Sequence, residues 1–233
     1  MSSPAGKVAL VTGAGQGVGA GIARVLADQG ASVVVNDLFA ERAEAVANTI
    51  GGRALAFDVT DLAAVRAGFA EIGPVDILVN NAGIPADGFP QVDFKDSDPE
   101  LWHRFIDLNL YGVMHCTHTA LPGMCERGWG RVITISSEAG RVGLPIRVAM
   151  YGAAKAGAIG LMKHLAHEVG RHGVTCNALA LGAMEGTPLD PSRTPVPRLG
   201  TGQDVGAAVA FLASDGGEWI TGQVLAVNGG AVT

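Results

Sequence analysis

Short apolar runs alternate along the whole chain with segments of helical periodicity. Within each run the apolar residues are consecutive rather than alternate, which indicates strands that are buried on both faces. Strands of this kind, each followed by a helix, form a parallel sheet with helices covering both of its faces. The sequence therefore predicts an α/β protein with a doubly wound parallel sheet of about seven strands. In such a sheet the ligand-binding loops follow the carboxyl ends of the strands.

The pattern also gives approximate bounds for each element. Strands are predicted at residues 8–11, 32–35, 53–57, 75–79, 131–135, 174–179 and 224–227. Helices are predicted at about 19–29, 40–49, 62–72, 100–125, 150–171 and 204–212. No linker or change of composition divides the chain, so we expect a single domain over residues 1–233, with a substrate loop at about 182–202.

Charge and cysteine content exclude several classes of protein. The chain has 22 acidic and 16 basic residues and a net charge of −6, which is unsuited to nucleic acid or anionic membrane surfaces. No apolar run approaches the roughly 20 residues that a membrane helix needs. Cys116, Cys125 and Cys176 form no CxxC pair, and the first residues do not resemble a secretory signal. We therefore expect a cytoplasmic protein with neither nucleic-acid nor membrane partners.

A glycine-rich turn, residues 12–19, joins the first predicted strand to the first predicted helix. Gly13, Gly17 and Gly19 are spaced Gly-x-x-x-Gly-x-Gly rather than the more usual Gly-x-Gly-x-x-Gly. Glycines allow a tight bend and a close approach of the backbone to a pyrophosphate, and the helix N-terminus offers it free N–H groups. An ordinary strand-to-helix turn is the alternative, but the β–α context favours a dinucleotide site in a single-domain Rossmann fold.

The second strand leads into Asp37, about two dozen residues beyond Gly13. A carboxylate at this position can accept hydrogen bonds from both ribose hydroxyls of an adenosine and would repel a 2′-phosphate. Gln16, within the turn, provides no cation for that phosphate. These residues favour NAD over NADP, and the alternative role for Asp37 is that of a helix N-cap.

Tyr151 and Lys155 are four residues apart on a predicted helix, so their side chains share one face. A lysine ammonium about 4 Å away, at an effective dielectric constant near 20, would lower a phenol pKa by roughly three units. The pair could therefore act as a general acid/base. Further polar residues occur where ligand-facing groups are expected: Ser136 and Ser137 after the fifth strand, and Asn80 to Gly83 after the fourth.

Together these motifs resemble the short-chain dehydrogenase/reductase family, including its NAD-dependent alcohol dehydrogenases and 3-oxoacyl-carrier-protein reductases. The similarity extends over essentially the whole chain, and the motifs occur in the family's order. The residues that carry it are Thr12-Gly-x-x-x-Gly-x-Gly19, Asn80-Asn-Ala-Gly83, Asn109, Ser137, Tyr151-x-x-x-Lys155, Thr221-Gly-Gln and Asn228-Gly-Gly230.

The resemblance implies a role for each matching residue. Tyr151 would exchange a proton with the substrate oxygen, and Lys155 would bind the nicotinamide ribose and lower the Tyr151 pKa. Ser137 would hydrogen-bond the reacting oxygen, and Asn109 would hold a water that relays protons to Lys155. The cofactor-binding residues would be Gly13, Gln16, Gly17, Val18, Gly19, Asp37, Leu38, Asp58, Val59, Asn81, Ala82, Gly83, Tyr151, Lys155, Gly182 and Thr187.

Some positions depart from the family pattern. Ser137 and Tyr151 are 14 residues apart, a long spacing that predicts a bulged loop and keeps Ser136 as the alternative to Ser137. Leu181 stands before Gly182 where the family usually has proline, which frees the backbone of that loop. In the family a threonine in this loop contacts the nicotinamide carboxamide. Thr187 matches it but lies one residue later in the sequence than is usual.

Two further features look like possible functional sites, but an ordinary structural role is the expected explanation for each. Glu138, directly after the serine, is expected to be a solvent-facing loop carboxylate, with contact to a polar substrate as the alternative. His164 and His167 are spaced like a metal pair, but both point away from Tyr151 on their helix and have no evident third ligand, so no metal site is expected.

The leading functional hypothesis is an NAD(H)-dependent oxidoreductase that interconverts a small secondary alcohol and a ketone. The alternative within the family is an NADPH-dependent 3-oxoacyl-carrier-protein reductase. A non-catalytic NAD-binding sensor or scaffold is the alternative of another class, but it would have no need for the four catalytic residues together. The resemblance also implies a homotetramer.

Overall fold

Seven strands pair in parallel within the described part of this computed structural model, which covers residues 3–86, 88–188, 190, 192 and 194–232. They are β1 (Val8–Val11), β2 (Ser32–Asp37), β3 (Arg53–Ala56), β4 (Ile77–Asn80), β5 (Gly130–Ser137), β6 (Val174–Leu181) and β7 (Val224–Val227). Their order across the sheet is β3-β2-β1-β4-β5-β6-β7. The strand order reverses between β1 and β4, which is where a doubly wound sheet opens its ligand crevice. The predicted fold class is confirmed.

Helices cover both faces of the sheet. They are α1 (Gly17–Asp28), α2 (Ala40–Ile50), α3 (Leu62–Ile72), α4 (Trp102–Ile106), α5 (Gly112–Arg127), α6 (Glu138–Arg141), α7 (Ala149–Val169) and α8 (Gly202–Ala213). One core packs α1, α2 and α8 against the sheet, and the other packs α3, α5 and α7. Leu10 and Val11 of β1 enter opposite cores, as expected for a strand buried on both sides. No helix in the described ranges is both long and apolar enough to cross a membrane.

The helix predicted at about 100–125 is present as one continuous helical stretch from Trp102 to Arg127, but it contains a π turn that the sequence did not predict. The structure has α4, then a π-helical turn at Asp107–Tyr111, then α5. Pro99 and the Asp98 cap set a separate 3-10 turn, Pro99–Leu101, ahead of α4. A π turn carries one extra residue without ending the helix, so the apolar periodicity of the segment hardly changes and the sequence pattern does not show it.

At their carboxyl ends, two strands of the sheet are longer than the sequence predicted. β5 and β6 each continue two residues beyond the predicted ends, through the pairs Ser136–Ala180 and Ser137–Leu181. The bulged loop expected between Ser137 and Tyr151 contains the short helix α6. Ser137 is therefore the last residue of a central strand and not part of a loop.

Candidate active site

The glycine-rich turn after β1 is held in place by Thr12 and Asn81. The Asn81 side-chain amide donates to the carbonyls of Thr12 and Gly13, both at 2.9 Å, and the Asn81 N–H donates to the Thr12 hydroxyl at 3.0 Å. Gly13 has φ +59°, and a Cβ there would lie 2.8 Å from Cα of Ala82. Only glycine fits this close approach of two strand ends. The sequence assigned Asn81 to the cofactor groove, whereas its described hydrogen bonds shape the turn itself.

The first turn of α1 is suited to an anion. Gln16 is the N-cap of the helix, and its side chain makes no capping hydrogen bond. The first N–H groups of a helix have no partner within the helix and carry its positive dipole end. Gly17, at the start of the helix, has open space around its Cα, so the backbone there is accessible.

Asp37 lies at the end of β2, beside the glycine turn. Its carboxylate accepts hydrogen bonds from the N–H groups of Gly15, at 3.0 Å, and Phe39, at 3.2 Å. Leu38, which follows it, is half exposed. The sequence did not assign Arg42, whose guanidinium lies 4.3 Å from the ring centre of Phe39. Arg42 lies in the first turn of α2, and no sequence motif there predicts its contact with Phe39.

The expected adenine-side residues Asp58 and Val59 follow β3. One Asp58 oxygen accepts from the N–H and the hydroxyl of Thr60, both at 2.8 Å, which fixes the turn. The Val59 carbonyl lies 3.0 Å from a ring nitrogen of His115 on α5. His115 thus supports this wall of the crevice, a role that the sequence did not predict.

Ser137, Tyr151 and Lys155 come together at the carboxyl end of β5. The Ser137 side chain lies close enough to the Tyr151 phenol to affect its pKa. The Lys155 ammonium is buried, donates to the Ile135 carbonyl at 2.7 Å and lies 5.6 Å from the centre of the Tyr151 ring. Ser136 instead turns inward, and its hydroxyl donates to the Lys155 carbonyl at 3.3 Å. Ser137 is therefore the serine that meets Tyr151, because successive strand residues face opposite sides.

Burial dominates the electrostatics of this group. It raises the pKa of Tyr151, and the Ser137 side chain offsets part of that rise. It also lowers the pKa of Lys155 to about 8. The sequence predicted that Lys155 would lower the Tyr151 pKa, whereas in the structure this pKa is raised. The physical reason is desolvation, since the phenol packs edge-on against Phe89, with ring centres 4.9 Å apart, and near Phe105 at 6.4 Å.

Asn109 is fully buried in the π turn and directed toward Lys155. Its side-chain N–H donates to the Phe105 carbonyl at 3.1 Å, while its Oδ1 has no hydrogen-bond partner within the described ranges. A Cβ on Gly83 would lie 2.7 Å from Lys155 Nζ and 2.8 Å from Asn109 Oδ1, so both atoms converge on this glycine. An unpaired buried acceptor next to an ammonium is a place where a bound water is stabilised.

Gly83→Ala should lower kcat about tenfold, because the added methyl group must displace the Lys155 ammonium or the Asn109 amide. Gly160→Ala, on the same helix as Lys155 and with open space around it, is the matched control. We expect the control to keep full activity and to gain about 0.5–1 kcal/mol in the free energy of unfolding. Steady-state kinetics and thermal unfolding of both variants test this, and full activity in Gly83→Ala would contradict it.

An apolar cavity opens beside Tyr151. Its walls include Arg147 and the rings of Phe94 and Trp102, which stack with centres 5.1 Å apart. Apolar walls around one polar reactive group are typical of small-molecule sites. Phe89, which covers the Tyr151 ring, lies in an irregular segment, where periodicity gives no guide.

The loop after β6 is only partly described, since residues 189, 191 and 193 of the predicted substrate loop lie outside the described residues. The Gly182 N–H donates to the Val227 carbonyl at 3.1 Å, and a Cβ there would lie 2.8 Å from Cα of Asn228. Thr187 is exposed, and its hydroxyl donates to the Met184 carbonyl at 2.7 Å. The described contacts therefore link Gly182 to the end of β7 and do not bring Thr187 to the Tyr151 group.

The family model described as short chain dehydrogenase matches residues 7–196. This chain belongs to the short-chain dehydrogenase family. Members of the family are oxidoreductases that act on CH–OH groups with a nicotinamide cofactor, and the glycine turn, the α1 N-terminus and Asp37 form a cradle that fits such a dinucleotide. The resemblance found in the sequence is thereby confirmed.

Two curated relatives and one solved structure are similar to this chain over almost its whole length. The 3-oxoacyl-[acyl-carrier-protein] reductase FabG of Escherichia coli K12 is 41% identical over 244 aligned positions, which cover 97% of each chain. That of Staphylococcus aureus Mu50 is 40% identical, covering 96% of this chain and 97% of the relative. A crystal structure described as ribose-5-phosphate isomerase from Brucella melitensis 16M superposes with a TM-score of 0.91 at 32% identity, covering 97% of this chain and 92% of that one.

Proposed function

We propose that this chain is a 3-oxoacyl thioester reductase of the 3-oxoacyl-[acyl-carrier-protein] reductase type. The observation that carries the proposal is the identity of about 40% to such reductases over almost the full length of both chains. It favours the second of the two substrate hypotheses drawn from the sequence over a general alcohol–ketone interconversion. The apolar cavity beside Tyr151 suits an acyl chain.

In the proposed reaction the protein positions the ketone and supplies the proton. The Ser137 hydroxyl donates a hydrogen bond to the substrate carbonyl oxygen, and the Tyr151 hydroxyl gives that oxygen its proton. Lys155 stabilises the resulting phenolate, and a water held by Asn109 returns a proton to it. When bound, the nicotinamide supplies the hydride that reaches the carbonyl carbon.

NADH is the cofactor that we propose, with NADPH as the alternative. The support is the Asp37 carboxylate, held by two backbone N–H groups next to the glycine turn. A negative charge fixed at this position accepts ribose hydroxyls and repels a 2′-phosphate. Asp37 and Arg42 form no ion pair within the described residues.

The substrate proposal is tested by following the absorbance of the reduced cofactor with three kinds of ketone. We expect a 3-oxoacyl thioester to be reduced with a kcat/KM at least about tenfold above that of a cyclic ketone or a short aliphatic ketone. Wild-type enzyme that reduces only simple ketones would return the assignment to the broader hypothesis. Enzyme that binds NADH but reduces no ketone would favour the non-catalytic sensor.

Reduction should lose efficiency as the pH rises past about 8. Burial lowers the Lys155 pKa to about 8, so above that pH the ammonium that supports proton delivery becomes neutral. Below pH 8 the group is protonated and the reductive rate is retained. The pH profile of kcat/KM, which reports groups of the free enzyme, tests this. A profile that stays flat from pH 7 to 10 would contradict the expectation.

We also propose a cytoplasmic homotetramer. The support is that β7 is an edge strand of the sheet and that Leu225 on it is exposed, as are Phe211 on α8 and Trp219, the latter by 96%. An open edge strand flanked by apolar side chains is a typical contact surface between copies. Light scattering on the purified protein tests the oligomeric state. The three cysteines are all free thiols, in keeping with a reducing compartment.

A further inference from the structure

Glu138, the residue directly after Ser137, has an unusual environment. It begins the short helix α6 and is only 2% exposed. The expectation of a solvent-facing carboxylate is therefore wrong. Burying a carboxylate costs several kcal/mol unless partners satisfy its oxygens, so the fold must compensate for this residue.

Each oxygen of the Glu138 carboxylate has its own partner. Arg141 Nε donates to one oxygen at 2.8 Å, and the Asn228 side-chain amide donates to the other at 3.0 Å. Arg141 and Asn228 both also donate to the Val232 carbonyl, at 3.1 and 2.7 Å. The four residues form a closed polar network between the end of β5 and the C-terminal segment.

The same network reaches the loops on the substrate side. Asn228 follows β7, and its Cα is the atom that leaves no room for a side chain on Gly182. The next residue, Gly229, accepts a hydrogen bond from the Val196 N–H at 3.0 Å. The end of β5, the loop after β6 and the C-terminal segment therefore meet around Glu138 and Asn228.

We propose that Glu138 is a positioning residue that, through Arg141 and Asn228, fixes the serine at the end of β5 against Tyr151. Ser137 is the N-cap of α6, and its hydroxyl accepts from the Ala139 N–H at 3.2 Å, so the orientation of α6 sets the orientation of the serine. Glu138 is the first residue of that helix and ties it to a part of the chain 90 residues away. The proposal rests on the proposed role of Ser137 and concerns only how that serine is held.

A double-mutant cycle tests the proposal with whichever ketone the wild-type enzyme reduces best. Ser137→Ala should lower kcat at least about 100-fold, as loss of one oxyanion donor does. Glu138→Gln should lower kcat about tenfold and leave the Kd for NADH unchanged. In the Ser137→Ala background Glu138→Gln should have almost no further effect, because the residue through which it acts has been removed.

A purely structural role gives a different result. With a purely structural role, Glu138→Gln would lower the unfolding temperature, but kcat measured well below that temperature would stay at the wild-type value. Alternatively, Glu138→Gln would lower kcat by the same factor with and without Ser137→Ala. Either result would overturn the proposal. Asp76→Asn is the matched control, since Asp76 is also ion-paired, to Arg127, but at the opposite end of the sheet. We expect that control to keep its kcat.

Two outcomes separate this inference from the function on which it rests. If Ser137→Ala retains wild-type kcat, the proposed chemistry fails and not merely the positioning. If Ser137→Ala is impaired but Glu138→Gln is not coupled to it, only the positioning role fails. Should Glu138→Gln not fold, Asn228→Ala removes one donor to the same carboxylate, and additive losses with Ser137→Ala would again overturn the proposal.

Discussion

Tyr151→Phe is expected to lower kcat about 1,000-fold while the Kd for NADH stays within about twofold of the wild-type value. The substitution removes only the hydroxyl that is proposed to donate the proton. The ring keeps its edge-on packing against Phe89, so the cavity and the fold are preserved. Steady-state reduction of the best ketone gives kcat, and cofactor binding followed by fluorescence gives the Kd.

Tyr111→Phe is the matched control, because the chain has only two tyrosines and Tyr111 is 48% exposed on the helical surface. It should retain full activity. Equal turnover in wild type and Tyr151→Phe would remove Tyr151 from the mechanism. A parallel loss of NADH binding would instead mean that the phenol acts through the cofactor site.

Asp37→Ser is expected to shift the ratio of kcat/KM for NADH over NADPH at least about 100-fold toward NADPH. Two charges about 4 Å apart at an effective dielectric constant near 20 repel by about 4 kcal/mol, and part of that is screened by solvent. The carboxylate is held rigidly by the N–H groups of Gly15 and Phe39, so it cannot swing away from a 2′-phosphate. Serine removes the charge and keeps a small hydrogen-bonding group.

Glu44→Gln removes an equal charge from the exposed surface of α2 and serves as the control for Asp37→Ser. Its cofactor ratio should match that of the wild type. Kinetics of each variant with both reduced cofactors give the comparison. Wild-type preference for NADPH, or an unchanged ratio in Asp37→Ser, would show that Asp37 does not select the cofactor.

Local patterns in the sequence were enough to predict the sheet and its glycine turn. Buried parallel strands are short and apolar throughout, and the glycines of the turn stand at fixed offsets between a strand and a helix. Tyr151 and Lys155 could be placed together because helical spacing alone puts them on one face. In each case the constraint lies within a few consecutive residues.

The rest depended on contacts between distant parts of the chain. Glu138 is buried because Asn228, 90 residues further on, bonds to it. The choice between Ser136 and Ser137 depended on how far β5 continues beside β6. The rise in the Tyr151 pKa follows from packing against Phe89, a residue with no regular pattern around it. No spacing rule within one segment contains such information.

Lys155 is held by the Ile135 carbonyl of β5, whereas the cavity beside Tyr151 is built largely from another part of the chain. Ser137, Tyr151 and Lys155 are fixed to β5 and α7, whereas much of the cavity wall comes from residues 90–101. Residue changes in that segment can alter the cavity while Tyr151 and Lys155 keep their places. A mutant library confined to residues 90–101 would vary the substrate cavity without changing Ser137, Tyr151 or Lys155. Substrate specificity can therefore change in this fold without a change in those three residues.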